Sequence, residues 1–293
     1  MILIINNWCH HKNLEGIKRI CEYLNEDYKI GGIDEIENSD IIYSPSNSFD
    51  IKKIRDWEKK KWIFGPHFSV FPNEKLRIID YKRDNLIYIF PSNWCKKIWD
   101  NFNININTKT FPFPVNTDKF NGELNRNSDE IVIYFKNRNP KDLLLIINYL
   151  KSRNWNNIII FDYKIGYDEN YFIEVIKRAK FGIIIVGHES QGFAIEEMLA
   201  SNLPLLVWNV SLMSEEFNSN YPDIEATSIP YWDDRCGKVF YDINKIDEII
   251  NLFIKDLNKY RPREYIIENL GLEVCSNRFK ELLLNDNYNI NSI

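Results

Sequence analysis

The residues best suited to chemistry lie in one stretch, Gly187-His-Glu-Ser-Gln-Gly-Phe-Ala-Ile-Glu-Glu-Met-Leu-Ala200. It follows an apolar run at 182–186 that reads as a buried strand, and it continues into a helix at about 192–201. A strand, a tight turn with glycine and a helix start form the arrangement with which a parallel sheet binds ligands at the carboxyl ends of its strands. The N–H groups from Gln191 to Ala194, through Phe193, would face an anion with the helix dipole behind them. Gly192 lets the backbone approach that anion closely. Glu189 falls in the loop and Glu197 about one turn into the helix. Ionised carboxylates accept hydrogen bonds in pairs, which suits the hydroxyls of a sugar or ribose. Spacing alone is equally consistent with Glu189 capping the helix and Glu197 being a solvated surface residue.

Other candidates are scattered. Tyr134-Phe-Lys-Asn-Arg-Asn-Pro-Lys141 follows the start of another buried run and supplies Lys136, Arg138 and Lys141. His67, in Phe64-Gly-Pro-His-Phe-Ser69, follows a strand candidate and reads either as a group meeting an acceptor or sugar or as a structural histidine. His10 and His11 sit in the first strand–helix loop, where an incidental pair is the simpler reading, and His188 precedes Glu189. No G-x-G-x-x-G follows the first strand and no G-x-x-x-x-G-K-[ST] occurs, which disfavours nicotinamide or flavin Rossmann enzymes and P-loop NTPases. There is no Asp-x-Asp and no convincing metal site. The five cysteines form no C-x-x-C pair, so reduced thiols are expected rather than a disulfide framework or zinc knuckle.

The elements that must position these residues alternate. Strands are expected at 2–5, 40–43, 62–64, 86–90, 131–135, 157–161, 182–186 and 204–208. Helices are expected at 14–24, 141–152, 170–180, 192–201 and 244–258. Continuous apolar strands separated by helices indicate parallel, doubly wound sheets, an α/β fold. The 293 residues allow one large domain or two modest ones. Phe111-Pro-Phe-Pro-Val115 followed by a polar stretch suits a boundary near 115–129. The expected domains are 1–115 and 116–293, with the C-terminal helix able to pack back on the first. A net charge of −5 argues against a nucleic-acid binder. The N-terminus has no basic n-region, and no apolar run reaches the ~20 residues of a membrane span. A cytoplasmic location is expected. The segment 51–62, basic with two tryptophans, reads as a solvated helix, with peripheral membrane contact as the alternative.

The 187–200 stretch resembles the paired-glutamate motif of the retaining glycosyltransferases of family four, E-x-F-G-x-x-x-x-E-A. Glu189 and Glu197 match its acids and Gly192 its glycine; Gln191 stands where Phe is frequent, and Met198 where Ala is usual. Phe113-Pro-Val-Asn-Thr-Asp-Lys-Phe120 resembles the family's P-x-G-V-D-x-x-x-F linker, with Asn116 for Asp. Pro91-Ser-Asn-Trp-Cys-Lys-Lys97, Tyr134–Lys141 and Cys236-Gly-Lys-Val-Phe-Tyr-Asp242 resemble further segments in the same order. The resemblance is specific from about 112 to 254, and the chain is short for the family.

The resemblance implies two facing Rossmann-like domains of the GT-B type. It implies a hexosyltransferase-like enzyme of carbohydrate biosynthesis, independent of metal and retaining at the anomeric carbon. The substrate donor is a nucleotide-sugar, no cofactor is needed, and the acceptor is an unspecified glycan, lipid or protein. By motif position Glu197 would bind ribose, Glu189 the transferred sugar, and the backbone of Gln191, Gly192 and Phe193 the sugar and diphosphate. Arg138 and Lys141 are the first candidates for the diphosphate and Lys136 the third; His188 would lie near the sugar. The alternatives are a nucleotide-sugar epimerase of the same architecture and a catalytically silent nucleotide-sugar-binding or assembly protein.

Overall fold

The computed structural model describes residues 1–5, 9–45, 50–66, 71, 83–102, 105–122 and 128–284. The chain forms two compact units, one of residues 1–114 with 269–293 and one of residues 115–268. Each is built on a parallel sheet with intervening helices, so the fold is mixed α/β.

The first unit carries β1 (Ile2–Ile5), α1 (His11–Leu24), β2 (Tyr28–Gly31), β3 (Ile41–Ser44), β4 (Lys61–Phe64), β5 (Leu86–Phe90), α2 (Asn93–Asn101) and β6 (Asn107–Thr110). Its strand order is β2-β1-β3-β4-β5-β6. β1 and β5 are buried along their whole length, as central strands covered on both faces must be. The edge strands β2 (Tyr-Lys-Ile-Gly) and β6 (Asn-Thr-Lys-Thr) carry no buried apolar run, which explains why hydrophobic patterning does not announce them. The segment 51–62 is not the expected helix. It makes two single 3₁₀ turns, Ile51–Lys53 and Trp57–Lys59, and then enters β4. Ile51, Trp57 and Trp62 are in the core, and the Trp62 indole donates to the Trp57 carbonyl at 2.9 Å. The aromatics there serve this unit's own packing.

The second unit carries β7 (Ile131–Lys136), α3 (Pro140–Ser152), β8 (Ile158–Asp162), α4 (Glu169–Arg178), β9 (Phe181–Val186), α5 (Phe193–Ala200), β10 (Leu205–Trp208), β11 (Gly237–Phe240) and α6 (Ile246–Lys255). Two C-terminal helices follow. α7 (Pro262–Leu270) runs across the division between units, and α8 (Leu272–Leu284) packs on α1 within the first unit. Phe111 and Phe113 are fully buried, with the Phe111 and Phe279 rings 5.6 Å apart, so 111–114 packs within the first unit. Beyond the division, Arg263 donates to the carbonyls of Thr117, Phe120 and Ala200 and fixes 117–120 to the second unit.

The second sheet has the order β11-β10-β9-β7-β8. After β8 the chain returns past β7 to lay β9 on its other side. The connections therefore diverge between β7 and β9, the switch point at which open parallel sheets bind ligands beyond their strands' carboxyl ends. Both strands are almost wholly buried, and Lys136, the last residue of β7, pairs in register with Val186, the last of β9.

Candidate active site

Two loops leave this switch point. The loop after β9 begins at Gly187, whose N–H donates to the Lys136 carbonyl at 2.9 Å. A Cβ at Gly187 would come within 3.2 Å of the Asn137 carbonyl, so the loops approach too closely for a larger residue to fit without displacement. A buried polar group supports the turn from beneath: Ser228 Oγ donates to the carbonyls of Gly187 (2.7 Å) and Val186 (3.1 Å). Asn209 accepts from the Ser228 N–H, and the Glu189 N–H donates to Thr227. Gly192 ends the loop in the left-handed region (φ 91°), a conformation costly for a residue with a Cβ, and caps α5. α5 is buried on nearly every side, which places Glu196 and Glu197 inside the protein, at 2% and 5% exposure. Glu197 is therefore not the solvated residue that helical spacing allowed.

The loop after β7 supplies the cations, but they go to different places. Lys136 Nζ reaches both carboxylate oxygens of Glu189, at 2.8 and 2.9 Å, with 19% and 10% of the two side chains exposed. The ammonium also lies 4.5 Å from the centre of the Tyr163 ring. Burial works to lower the Lys136 pKa, yet the charge and hydrogen bonds of Glu189 carry it above the ordinary value. Tyr167 stands close enough to Glu197 and Glu189 to feel both charges. With burial the larger cause, these raise its phenol to about 12. Burial and then Glu189 raise Tyr134 still further. Lys136 and Glu189 thus form a pair against Tyr163, with Glu216 also near it; Tyr134 and Tyr167 lie beside Glu189, and Glu197 joins them through Tyr167.

Arg138 points elsewhere. Only 6% exposed, it donates to the carbonyls of Val186 and Trp208 at 3.4 Å and to Asp142 at 3.2 Å, and stacks over the Trp208 ring at 4.9 Å. It closes the ends of β9 and β10. A cavity of about 430 Å³ adjoins it, lined by Arg138, Asn139, Asp142, Glu215 and Glu216 among others and not by Glu189 or Glu197. Three carboxylates against one guanidinium make that cavity unsuited to a phosphate. Lys141 is exposed in the first turn of α3, whose cap is Asn139. His188 turns toward Glu216, with Nδ1 3.1 Å from the carboxylate, and packs edge-on against Tyr221. Burial and then the Lys136 charge lower its pKa to about 4, so it is neutral. The Gln191 side chain donates to Glu196 at 3.1 Å, both groups being buried, and Phe193 is half-buried at the start of α5.

His67 lies outside the described residues. In the first unit His10 caps α1, its Nδ1 accepting from the Lys12 N–H at 3.3 Å, and its ring stacks on His11 at 4.8 Å. Among the described residues no three His, Cys, Asp or Glu side chains are grouped so as to hold a metal ion. Among them too, no helix is long and apolar enough to cross a membrane. Sequence reasoning missed Glu196, Tyr134, Tyr163, Tyr167 and the Asn209–Thr227–Ser228 support. The tyrosines carried a readable signal, since Tyr163 directly follows β8, which lies beside β7, and Tyr167 comes four residues later.

No family model and no curated protein sequence matches the chain. Solved structures do. The chain is similar to sucrose-phosphate synthase from Thermosynechococcus elongatus, with a TM-score of 0.58 and 9% identity over 97% of this chain and 98% of that one. It is also similar to TarM, with a TM-score of 0.54 and 16% identity over 84% of this chain; there it spans 55% of the longer protein. Two parallel α/β sheets in this order, and these likenesses, identify the fold as the GT-B type found among glycosyltransferases.

Proposed function

We propose that the protein is a glycosyltransferase that takes its sugar from a nucleotide-sugar bound at the β7–β9 switch point of the second unit. The observation that carries this reading is the buried Glu189 carboxylate paired with the Lys136 ammonium at the switch point, followed by the buried Glu197 on α5, on a GT-B fold. Glu197, held on a helix buried on nearly every side, is suited to the ribose hydroxyls. Glu189, at the mouth of the turn, is suited to the hydroxyls of the sugar in flight. The N-terminal end of α5, the positive end of the helix dipole, favours a diphosphate.

A leaving diphosphate gains negative charge as the glycosidic bond breaks. Lys136 is the cation suited to stabilise that charge, in the role a metal ion plays in other transferases. Retention of anomeric configuration follows from the motif resemblance. In that reaction the acceptor hydroxyl approaches the face the phosphate leaves, and the departing phosphate oxygen takes its proton. Neither glutamate then needs to act as a general base.

The test is a melting series with UDP-, GDP- and ADP-sugars, with and without excess EDTA. A donor at a hundred times its Kd stabilises the native state by about 2.7 kcal/mol, which is about 5–10 °C for a protein of this size. A shift with one nucleotide class, with donor turnover that survives EDTA, supports the reading. No shift with any donor overturns it. Turnover abolished by EDTA and restored by Mg²⁺ or Mn²⁺ overturns metal independence.

A further inference from the structure

We propose that Lys136 is a shared cation, which holds Glu189 while the site is empty and passes to the diphosphate when a donor enters, releasing Glu189 for the sugar. The inference rests on the nucleotide-sugar reading of this site. Its basis is geometric. Two of the three N–H bonds of the Lys136 ammonium are committed to the two oxygens of Glu189, and the ammonium also lies against the face of Tyr163. An ammonium used in this way cannot serve a diphosphate in full without giving up carboxylate bonds. The other cations of the loop do not relieve the competition. Arg138 is engaged with the ends of β9 and β10, and Lys141 is exposed on the first turn of α3.

The exchange has a direction. A diphosphate carries more charge than a carboxylate and draws the ammonium more strongly. Glu189, relieved of its counter-ion, then has acceptor lone pairs for neutral sugar hydroxyls, which cost it no charge repulsion. Phosphate occupancy thereby precedes the sugar contact, and an empty site keeps its carboxylate neutralised. The consequence is counter-intuitive: removing the charge of Glu189 should strengthen the binding of a nucleoside diphosphate that lacks the sugar.

The experiment is calorimetric titration of UDP, GDP and ADP into wild type, E189Q, E189D, K136M and the E189Q/K136M double variant, with melting curves as a check on folding. The nucleotide that wild type prefers should bind E189Q about three- to thirtyfold more tightly, the range expected when one charge-assisted competitor is removed. E189D, which keeps the charge but withdraws it by one methylene, should show a smaller gain. K136M should bind more weakly than wild type, and the double variant should bind as K136M does, without the gain.

Unchanged or weaker binding by E189Q alongside weaker binding by K136M overturns the exchange but leaves the nucleotide site standing. A gain from E189Q that persists in the K136M background also overturns it, because the gain would then come from charge alone. If none of the three nucleotides binds wild type or E189Q, the nucleotide-sugar reading itself fails.

Discussion

Arg138 is the residue for which sequence and structure give opposed expectations, and replacing it with methionine separates them. Motif position makes it a diphosphate ligand; the geometry makes it a clamp on the ends of β9 and β10. Arg138→Met removes two long hydrogen bonds to the Val186 and Trp208 carbonyls, each contributing about 1 kcal/mol. The stacking over Trp208 adds about 0.5–2 kcal/mol, of which methionine recovers part by packing on the same ring. The Asp142 partner is 21% exposed and four residues away, so that pair contributes only about 0.5 kcal/mol. The expected loss is about 3 kcal/mol, or about 6–12 °C in melting temperature. Nucleotide affinity, measured below the variant's melting transition, should fall by less than about threefold, which is under 1 kcal/mol. Arg138→Lys, which keeps the charge but not the forked donors, should lose most of the same stability. A methionine variant that melts with wild type yet loses nucleotide binding would refute the clamp and restore Arg138 as a ligand.

Two further perturbations probe the supporting structure. His188 is neutral and buried with a pKa of about 4, whereas an unfolded histidine titrates near 6.5. Its contribution is therefore fully present above about pH 6.5 and is lost as the pH falls toward 4, by roughly 3 kcal/mol. Glu216, whose carboxyl is raised by burial, has the opposite sign and offsets part of this. Melting curves from pH 4 to 7 should be flatter for His188→Gln than for wild type; equal slopes would contradict the assignment. Gly237 has φ 144°, and a Cβ there would lie 1.8 Å from the Leu205 carbonyl oxygen, inside the β10–β11 ladder. Gly237→Ala should cost at least about 3 kcal/mol in a chemical denaturation measurement, and a loss under about 1 kcal/mol would show that the edge strand can shift.

The legible parts of the fold are those whose burial is complete. β7, β9 and β10 read as strands because both faces of a central parallel strand must be apolar. β2 and β6 escaped because an edge strand needs no such run; Asn107-Thr-Lys-Thr110 resembles loop in every respect but its pairing with β5. In 51–62 the apolar residues Ile51, Ile54 and Trp57 fall at helical spacing, yet two three-residue turns bury Ile51 and Trp57 just as well. In the candidate site, Glu189, Gly192 and Glu197 were visible because they share one loop and one helix. The Lys136–Glu189 pair was not, because it joins residues 53 apart that only the β7–β9 pairing brings together. The family resemblance put Arg138 and Lys141 ahead of Lys136 for the diphosphate. Lys136, last on a buried strand, instead has its ammonium at the mouth of the site.

The central claim is that the second unit binds a nucleotide-sugar through two glutamates with separate tasks. It is tested most directly by titrating the preferred nucleoside diphosphate into Glu197→Ala and Glu189→Ala, beside a donor-turnover assay. Loss of the ribose acceptor in Glu197→Ala removes two hydroxyl contacts of about 0.5–1.5 kcal/mol each and should weaken the nucleotide about five- to hundredfold. Glu189→Ala should not weaken the nucleotide at all, yet should lower donor turnover, because its contact is to the group being transferred. Equal weakening by both variants would contradict the division of roles, and no effect of either on binding or turnover would contradict the site.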